Sequence, residues 1–218
     1  MIAYLIFLLE FIYMEKNNLI ALILLILIFV FAGIYFLYPE KEFTYSEEIN
    51  GIMFYSNSFD SPQKYFSGTV RERDGFLIVS EVGADEENLP YVSSQIALAS
   101  GIFSATGKFV SSVIVVLNKE EEVDYCQTNF GDTSKNERLT KRQCDNLIQN
   151  SSEFKFIIKK EDSSLNKPFV ELYNNSVVIQ PTDKEEGLAI LQQIFMAMYS
   201  NSQEIVDKIN AILHSVTG

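Results

Sequence analysis

The longest uncharged apolar segment of the chain runs from Leu19 to Tyr38, with the sequence LIALILLILIFVFAGIYFLY. At about 1.5 Å per residue, a helix of this length is about 30 Å long, which matches the hydrocarbon core of a bilayer. Pro39 follows directly and does not continue a helix. The segment therefore predicts a single transmembrane helix, and it requires the rest of the chain to fold beside a membrane.

Residues 1–18 have three competing interpretations, because MIAYLIFLLEFIYM is apolar but too short to span and contains Glu10. The first is that the start codon is assigned too far upstream and Met14 is the true start. The second is an interfacial helix, and the third is a longer, tilted span that includes this segment. MEKNN before an apolar run is typical of a signal-anchor and favours Met14. Bulky aromatic residues after Ala32-Gly33 disfavour a cleaved signal peptide.

The predicted organisation has four parts: a short N-terminal segment (1–18), a signal-anchor (19–38), a tether (39–50) and a folded domain (51–218). Lys16 precedes the span and Glu40-Lys41-Glu42 follows it. The positive-inside rule then places the N-terminus in the cytoplasm and the C-terminal domain outside the cell membrane. We therefore expect a single-pass membrane protein with an extracytoplasmic domain.

The acidic composition of the chain limits the classes of partner. Residues 1–40 hold one Lys and three Glu of the chain's 17 Lys+Arg and 29 Asp+Glu, which leaves 16 and 26, or a net charge of −10, for the remainder. Such a surface repels phosphate backbones and anionic lipid headgroups. We expect no nucleic-acid partner, and the sequence identifies no specific protein or envelope partner beyond the membrane itself.

The pattern of the folded domain indicates an α/β or α+β fold with a mixed sheet of about five or six strands and two C-terminal amphipathic helices. Apolar runs predict strands, and two capping boxes, at Thr140 to Gln143 and Thr182 to Glu185, predict helix starts. Asn174-Asn175 between two apolar runs predicts a two-residue hairpin. The predicted strands lie at 51–56, 76–82, 110–117, 153–160, 169–173 and 176–180, and the predicted helices begin near Leu89, Lys141, Asp183 and Gln203.

Cys126 and Cys144 are the chain's two cysteines, and they enclose a short segment. A zinc site requires about four ligands, and a redox pair usually has C-x-x-C spacing, so a structural disulfide is favoured over both and over free thiols. A disulfide fits an oxidising compartment. Asn150 and Asn174 begin Asn-x-Ser triplets, which are possible N-glycosylation acceptors in the same setting.

The most site-like cluster is Asp85, Glu86 and Glu87, which follows a predicted buried strand and precedes a helix, where open α/β sheets place ligands. These carboxylates are a weak candidate for a divalent-cation site. The competing interpretation is that they only stabilise the following helix, because negative charge is favourable near a helix N-terminus. The run Glu120 to Glu122 is typical of a solvated surface. The chain's single histidine, His214, is interpreted as a surface residue. No catalytic or cofactor motif is present.

These observations favour a membrane-anchored extracytoplasmic binding or accessory domain of the cell envelope, without catalysis or a cofactor. One alternative is an anchored hydrolase that uses carboxylates and a divalent metal near Asp85, Glu86 and Glu87. The other is a subunit of a larger membrane complex, although the small residues of the span, Ala21, Ala32 and Gly33, form no small-xxx-small pair.

Overall fold

A nine-stranded mixed sheet is the centre of the fold in the computed structural model, which describes Leu27 and residues 43–59, 61–84, 89–129 and 138–217. The chain divides into two units, Met1–Glu42 and Phe43–Gly218, and the sheet belongs to the second. The strands are β1 (Tyr45–Ile49), β2 (Ile52–Ser56), β3 (Gly75–Gly83), β4 (Phe109–Leu117), β5 (Val123–Asn129), β6 (Arg138–Thr140), β7 (Phe154–Ile158), β8 (Phe169–Tyr173) and β9 (Ser176–Gln180).

Five helical segments accompany the sheet within the described ranges. They are α1 (Pro62–Lys64), which continues as a π-helical segment (Tyr65–Val70), α2 (Leu89–Ala105), α3 (Lys141–Asn150), α4 (Lys184–Tyr199) and α5 (Gln203–Thr217). Asp183 caps α4, because its carboxylate accepts hydrogen bonds of 2.9 Å from the backbone N–H groups of Glu185 and Glu186. The capping box at Thr140 is confirmed, whereas the box predicted at Thr182 was one residue early.

The strand order is β1-β2-β8-β9-β7-β3-β4-β5-β6. The four central strands β9, β7, β3 and β4 run parallel to one another, and antiparallel pairs flank them on both sides. This explains why β3 reads as an almost continuous apolar run, since the strands of a parallel sheet are buried on both faces. The hairpin predicted at Asn174-Asn175 is confirmed as the β8–β9 connection.

Helices cover the two sheet faces unequally. The main core lies on the face covered by α1, α2, α4 and α5, where Phe76, Phe103, Phe156 and Phe195 are fully buried and in ring contact. On the opposite face, a smaller core formed by β3, β4, β5 and α3 surrounds the Cys126–Cys144 disulfide. The described residues therefore form a three-layer α/β arrangement, in which α3 is the one helix they place in the second helical layer.

The predicted fold class was wrong in its strand count, because the sheet has nine strands rather than five or six. Strand β1 lies inside the predicted tether, and β5 and β6 lie in a polar stretch for which no strand was predicted. The structure also does not support the transmembrane helix of that fold class. Among the residues it describes, no helix has the length and apolar composition to cross a bilayer. Apart from Leu27, the segment 19–38 lies outside those residues.

Candidate functional site: a polar cleft at the carboxyl ends of the parallel strands

A polar cleft of about 620 Å³ opens where the parallel strands β3, β4, β7 and β9 end. Its volume is within the range of roughly 300–1,000 Å³ that small-molecule sites occupy. The cleft contains four carboxylates and two ammonium groups, so its fixed charge is negative. It is lined by Glu81, Leu117, Glu121, Lys159, Lys160, Glu161, Asp162, Ser163 and Gln180.

The position of the cleft follows from the chain connections. After β3 the chain forms α2 and returns as β4 on one side, whereas after β7 it continues to β8 on the other side of the sheet. The segments that leave the neighbouring strands β3 and β7 therefore diverge and leave a crevice between them. Open α/β sheets bind ligands at such topological switch points, outside the carboxyl ends of the strands.

Glu81 and Lys159 form an ion pair at the centre of this crevice, with 2.6 Å between Lys159 Nζ and Glu81 Oε1. The strand register produces this contact, because Ser80 of β3 pairs with Ile158, the last residue of β7. Glu81 directly follows Ser80, and Lys159 directly follows Ile158. The Glu81 side chain is 17% exposed and the Lys159 side chain 40%. Salt screens this pair less than it screens a fully exposed one.

The β4–β5 turn forms a second wall. Asn118 Oδ1 accepts hydrogen bonds of 2.9 Å from the backbone N–H groups of Glu120 and Glu122. Glu121 stands between them with a φ of 60°, and its carboxylate lies 3.2 Å from Lys160 Nζ. The left-handed backbone conformation of a non-glycine residue is held here by the two Asn118 bonds, and it directs Glu121 toward the Lys160 side of the cleft.

The segment after β7 supplies the remaining lining residues, and hydrogen bonds hold it in place. Gln180 Nε2 donates to the Lys160 carbonyl at 2.8 Å, and the Asp162 N–H donates to the Pro181 carbonyl at 3.0 Å. The Ser164 hydroxyl and N–H donate to Asp162, and these bonds lower the pKa of that carboxyl. In the part of the chain that the structure describes, the Glu161 carboxylate has no ion-pair partner, so it is available to a ligand.

Beneath the Glu81–Lys159 pair lies a buried polar network between β3, α2 and α4. Ser80 donates to Gln95 Oε1 at 3.2 Å, and the two side chains are 1% and 2% exposed. The Leu188 N–H donates to the Tyr91 hydroxyl at 2.7 Å. Burial raises the pKa of Tyr91 to about 12, which outweighs its hydrogen bonds to Gln95 and Leu188, so its hydroxyl stays neutral.

The structure describes only some of the residues that the sequence predicted as sites. Asp85, Glu86 and Glu87 follow the carboxyl end of β3 in the chain, but they lie outside the described residues. Cys126 and Cys144 form the predicted disulfide, with Cα atoms 6.0 Å apart. The Asn150 and Asn174 side chains are both exposed, and their glycosylation stays a prediction. Among the described residues, no group of three or more His, Cys, Asp or Glu side chains forms a metal site.

The sequence analysis missed Glu81, Lys159 and Glu161, because these charges occur at or beyond the ends of two apolar strands that lie more than 70 positions apart. A charge inside one buried run and charges just after another were the available signal, but only the sheet order makes them neighbours. No protein-family model, curated protein or solved structure matches this chain. The geometry of the cleft is therefore the basis for any functional conclusion.

Proposed function

We propose that this protein is an extracytoplasmic binding domain that takes a small polar molecule with a cationic group into the cleft at the carboxyl ends of β3 and β7. The observation that carries this proposal is the coincidence of a topological switch point with a polar cleft of ligand size. The activity is binding, with the ligand's charge selected by the lining residues.

The charge of the lining supports a cationic ligand. Two of the four carboxylates are paired with lysines, in the Glu81–Lys159 and Glu121–Lys160 contacts, and Asp162 accepts hydrogen bonds from Ser164. Glu161 remains as an acceptor for a cationic donor, and hydrogen bonds to ionised groups contribute about 1.5–3 kcal/mol. Each lysine ammonium has three N–H donors, of which its glutamate partner accepts one, so the two lysines can also donate to a ligand carboxylate. A zwitterion with an extra positive charge therefore suits the cleft.

The disulfide supports the extracytoplasmic location. Cys126 and Cys144 are both buried, and bonded cysteines of this kind persist in oxidising compartments rather than in the reducing cytosol. A membrane-impermeant amine reagent applied to intact cells tests this location, because Lys119, Lys141 and Lys184 are exposed. Labelling of these lysines in intact cells is the expected result, and labelling only after lysis would refute the location.

Binding is tested by calorimetric titration of the full chain with L-arginine, with L-citrulline and with spermidine. Citrulline has nearly the shape of arginine but an uncharged side chain. We expect arginine to bind at one site and citrulline to bind about tenfold more weakly, which corresponds to loss of one charge-assisted hydrogen bond. The absence of heat with both arginine and spermidine, or equal affinity for arginine and citrulline, would refute the proposal.

A matched pair of variants locates the site. Glu161→Gln removes the available carboxylate without changing side-chain size, and it should abolish the preference for arginine over citrulline. Glu120→Gln makes the same change at an exposed residue of the β4–β5 turn that does not line the cleft, and it should preserve the preference. Equal losses in the two variants would indicate a general effect of net charge and not a site.

A further inference from the structure

A second concave site lies between the β1–β2 hairpin, the α1 segment and α4. It is an apolar pocket of about 430 Å³, separate from the polar cleft in position and in chemistry. Phe54, Phe66, Ile194 and Met196 contribute apolar surface, and Ala197 leaves space where a larger residue would fill the pocket. Pockets of this size lined mainly by apolar groups are the usual form of small-molecule sites.

Among the described residues, the lining of the apolar pocket contains no charged side chain, although the chain as a whole has a net charge of −12. Its polar groups are the neutral amides of Asn50, Gln63, Gln192 and Gln193. Within the described part of the chain, these side-chain amides form no hydrogen bond. An uncharged lining favours an uncharged ligand, because an ion would lose its hydration without gaining a counter-charge.

The walls of the apolar pocket are held in place by contacts outside it. Asn50 and Gly51 have φ values of 52° and 83°, the positive values that a type I′ hairpin turn requires, and they fix the β1–β2 wall. The Tyr65 hydroxyl donates to the Tyr173 carbonyl at 2.7 Å and anchors the π-helical segment to the β8–β9 hairpin. A preformed site of this kind binds with a smaller ordering cost.

The π-helical segment is an independent indication of function. Tyr65–Val70 follows the three-residue α1, and it places Phe66 at the pocket, where the ring packs edge-on against Phe54 with centroids 6.3 Å apart. π-helical turns are rare in globular proteins and occur frequently at functional sites. The flexible Met196 on the opposite wall adapts to ligands of different shape.

We propose that the apolar pocket is a binding site for an uncharged small molecule that has an apolar, ring-sized body and one hydrogen-bonding group held by the amides at the pocket mouth. This site is independent of the binding proposed for the polar cleft. An anionic molecule with the same body is disfavoured by the chain's net charge of −12 and by the lack of a cationic side chain among the described lining residues.

The test uses a single introduced thiol, because the described chain has no free cysteine. Ala197→Cys places a thiol in the pocket wall, and Ala189→Cys places one on an exposed position of the same helix. The rate of alkylation of each full-length variant by N-ethylmaleimide is measured with and without 2-naphthol. At a concentration about ten times its Kd, 2-naphthol should slow labelling of Ala197→Cys by about tenfold, as simple occupancy requires, and should leave Ala189→Cys unchanged.

The anionic analogue 2-naphthalenesulfonate provides the test of charge, and it should slow neither variant. Equal slowing by naphthol and by the sulfonate, or equal slowing of the two variants, would overturn the proposal. If Ala197→Cys fails to fold, Met196→Cys replaces it, because Met196 lines the pocket on the same helix and is not one of the amides proposed to hold the ligand. Failure of 2-naphthol to slow labelling of the thiol in the pocket wall would also overturn the proposal. Slowing that varies with protein concentration and not with 2-naphthol would indicate that a second copy of the chain covers the pocket, and it would overturn the proposal too.

Discussion

Reduction of the Cys126–Cys144 disulfide should lower the free energy of unfolding by about 3 kcal/mol. The two cysteines are separated by 18 positions, and the loop-entropy relation gives about 3 kcal/mol for a loop of this length at 25 °C. Both residues are at most 1% exposed, so reduction leaves two small buried thiols and creates no large cavity. The loss is a substantial part of the roughly 5–15 kcal/mol that stabilises a typical domain.

The expected effect concentrates on α3, because the disulfide joins this helix to β5. After reduction, α3 is held mainly by packing of Leu147 and Ile148 against the smaller core. Amide hydrogen exchange should therefore accelerate more in α3 than in α2, whose Leu98, Ile102 and Phe103 are fully buried in the main core.

The assay is urea denaturation of the oxidised and reduced chain, followed by far-ultraviolet circular dichroism. The chain has no tryptophan, so intrinsic tryptophan fluorescence is not an option. The double variant Cys126→Ala, Cys144→Ala is the control and should show no response to reductant. A difference below about 1 kcal/mol between the oxidised and reduced forms would refute the loop-entropy reasoning for this protein.

Three further predictions concern the helical layer over the main core. Gly187→Ala should cost about 1–3 kcal/mol, because its Cβ would lie 2.6 Å from the Tyr91 hydroxyl, and urea denaturation measures the loss. Phe103→Ala should lower the free energy of unfolding by about 3–5 kcal/mol in the same measurement. The Phe103 ring is fully buried and stacks on the Phe76 ring with the two ring centroids 4.0 Å apart. The free energy of unfolding should decrease as the pH rises above about 10, because burial raises the pKa values of Tyr65 and Tyr91 above those of the unfolded chain. The midpoints of urea denaturation at different pH values measure this decrease.

The crowding prediction at Gly187 has a matched control, and the alkaline effect has an outcome that would contradict it. Gly68→Ala introduces the same methyl group where a Cβ would meet no atom within 4 Å, and it should cost far less than Gly187→Ala. An equal loss at both positions would show that the crowding argument is wrong. The alkaline effect requires that the neutral tyrosines stabilise the fold below pH 10, so a urea midpoint that is constant between about pH 9 and pH 11 would contradict it.

The sequence predicted the central strands well, because burial on both faces leaves a clear pattern. The apolar runs Phe76–Val82 and Val110–Leu117 appear as β3 and β4, with ends within a residue of the predicted ones. The edge strand β1 was missed because its central residues, Ser46, Glu47 and Glu48, are exposed, as edge strands require to avoid further pairing. The Asn50-Gly51 pair was the signal that could have revealed it.

The strands at the other edge were missed for a different physical reason. Strand β5 (VDYCQTN) is rich in polar residues, since it lies near the edge and has only Cys126 and Thr128 buried among its described side chains. Strand β6 has three residues, which is too short for any alternation to be visible. Pairing with β4 defines β5, and pairing with β5 defines β6, so local propensity determines neither strand.

The polar cleft could not be predicted from local patterns, because it depends on the register between two distant strands. The pairing of Ser80 with Ile158 puts Glu81 and Lys159 at adjacent positions on the same sheet face, where they form their ion pair. A slip of one residue in this register would turn Lys159 to the opposite face, and it would also turn Phe156 out of the main core. The same apolar burial that stabilises the sheet therefore fixes the geometry of the charged site. The cleft depends on the core for its geometry and on the few charged residues at and beyond the strand ends for its chemistry.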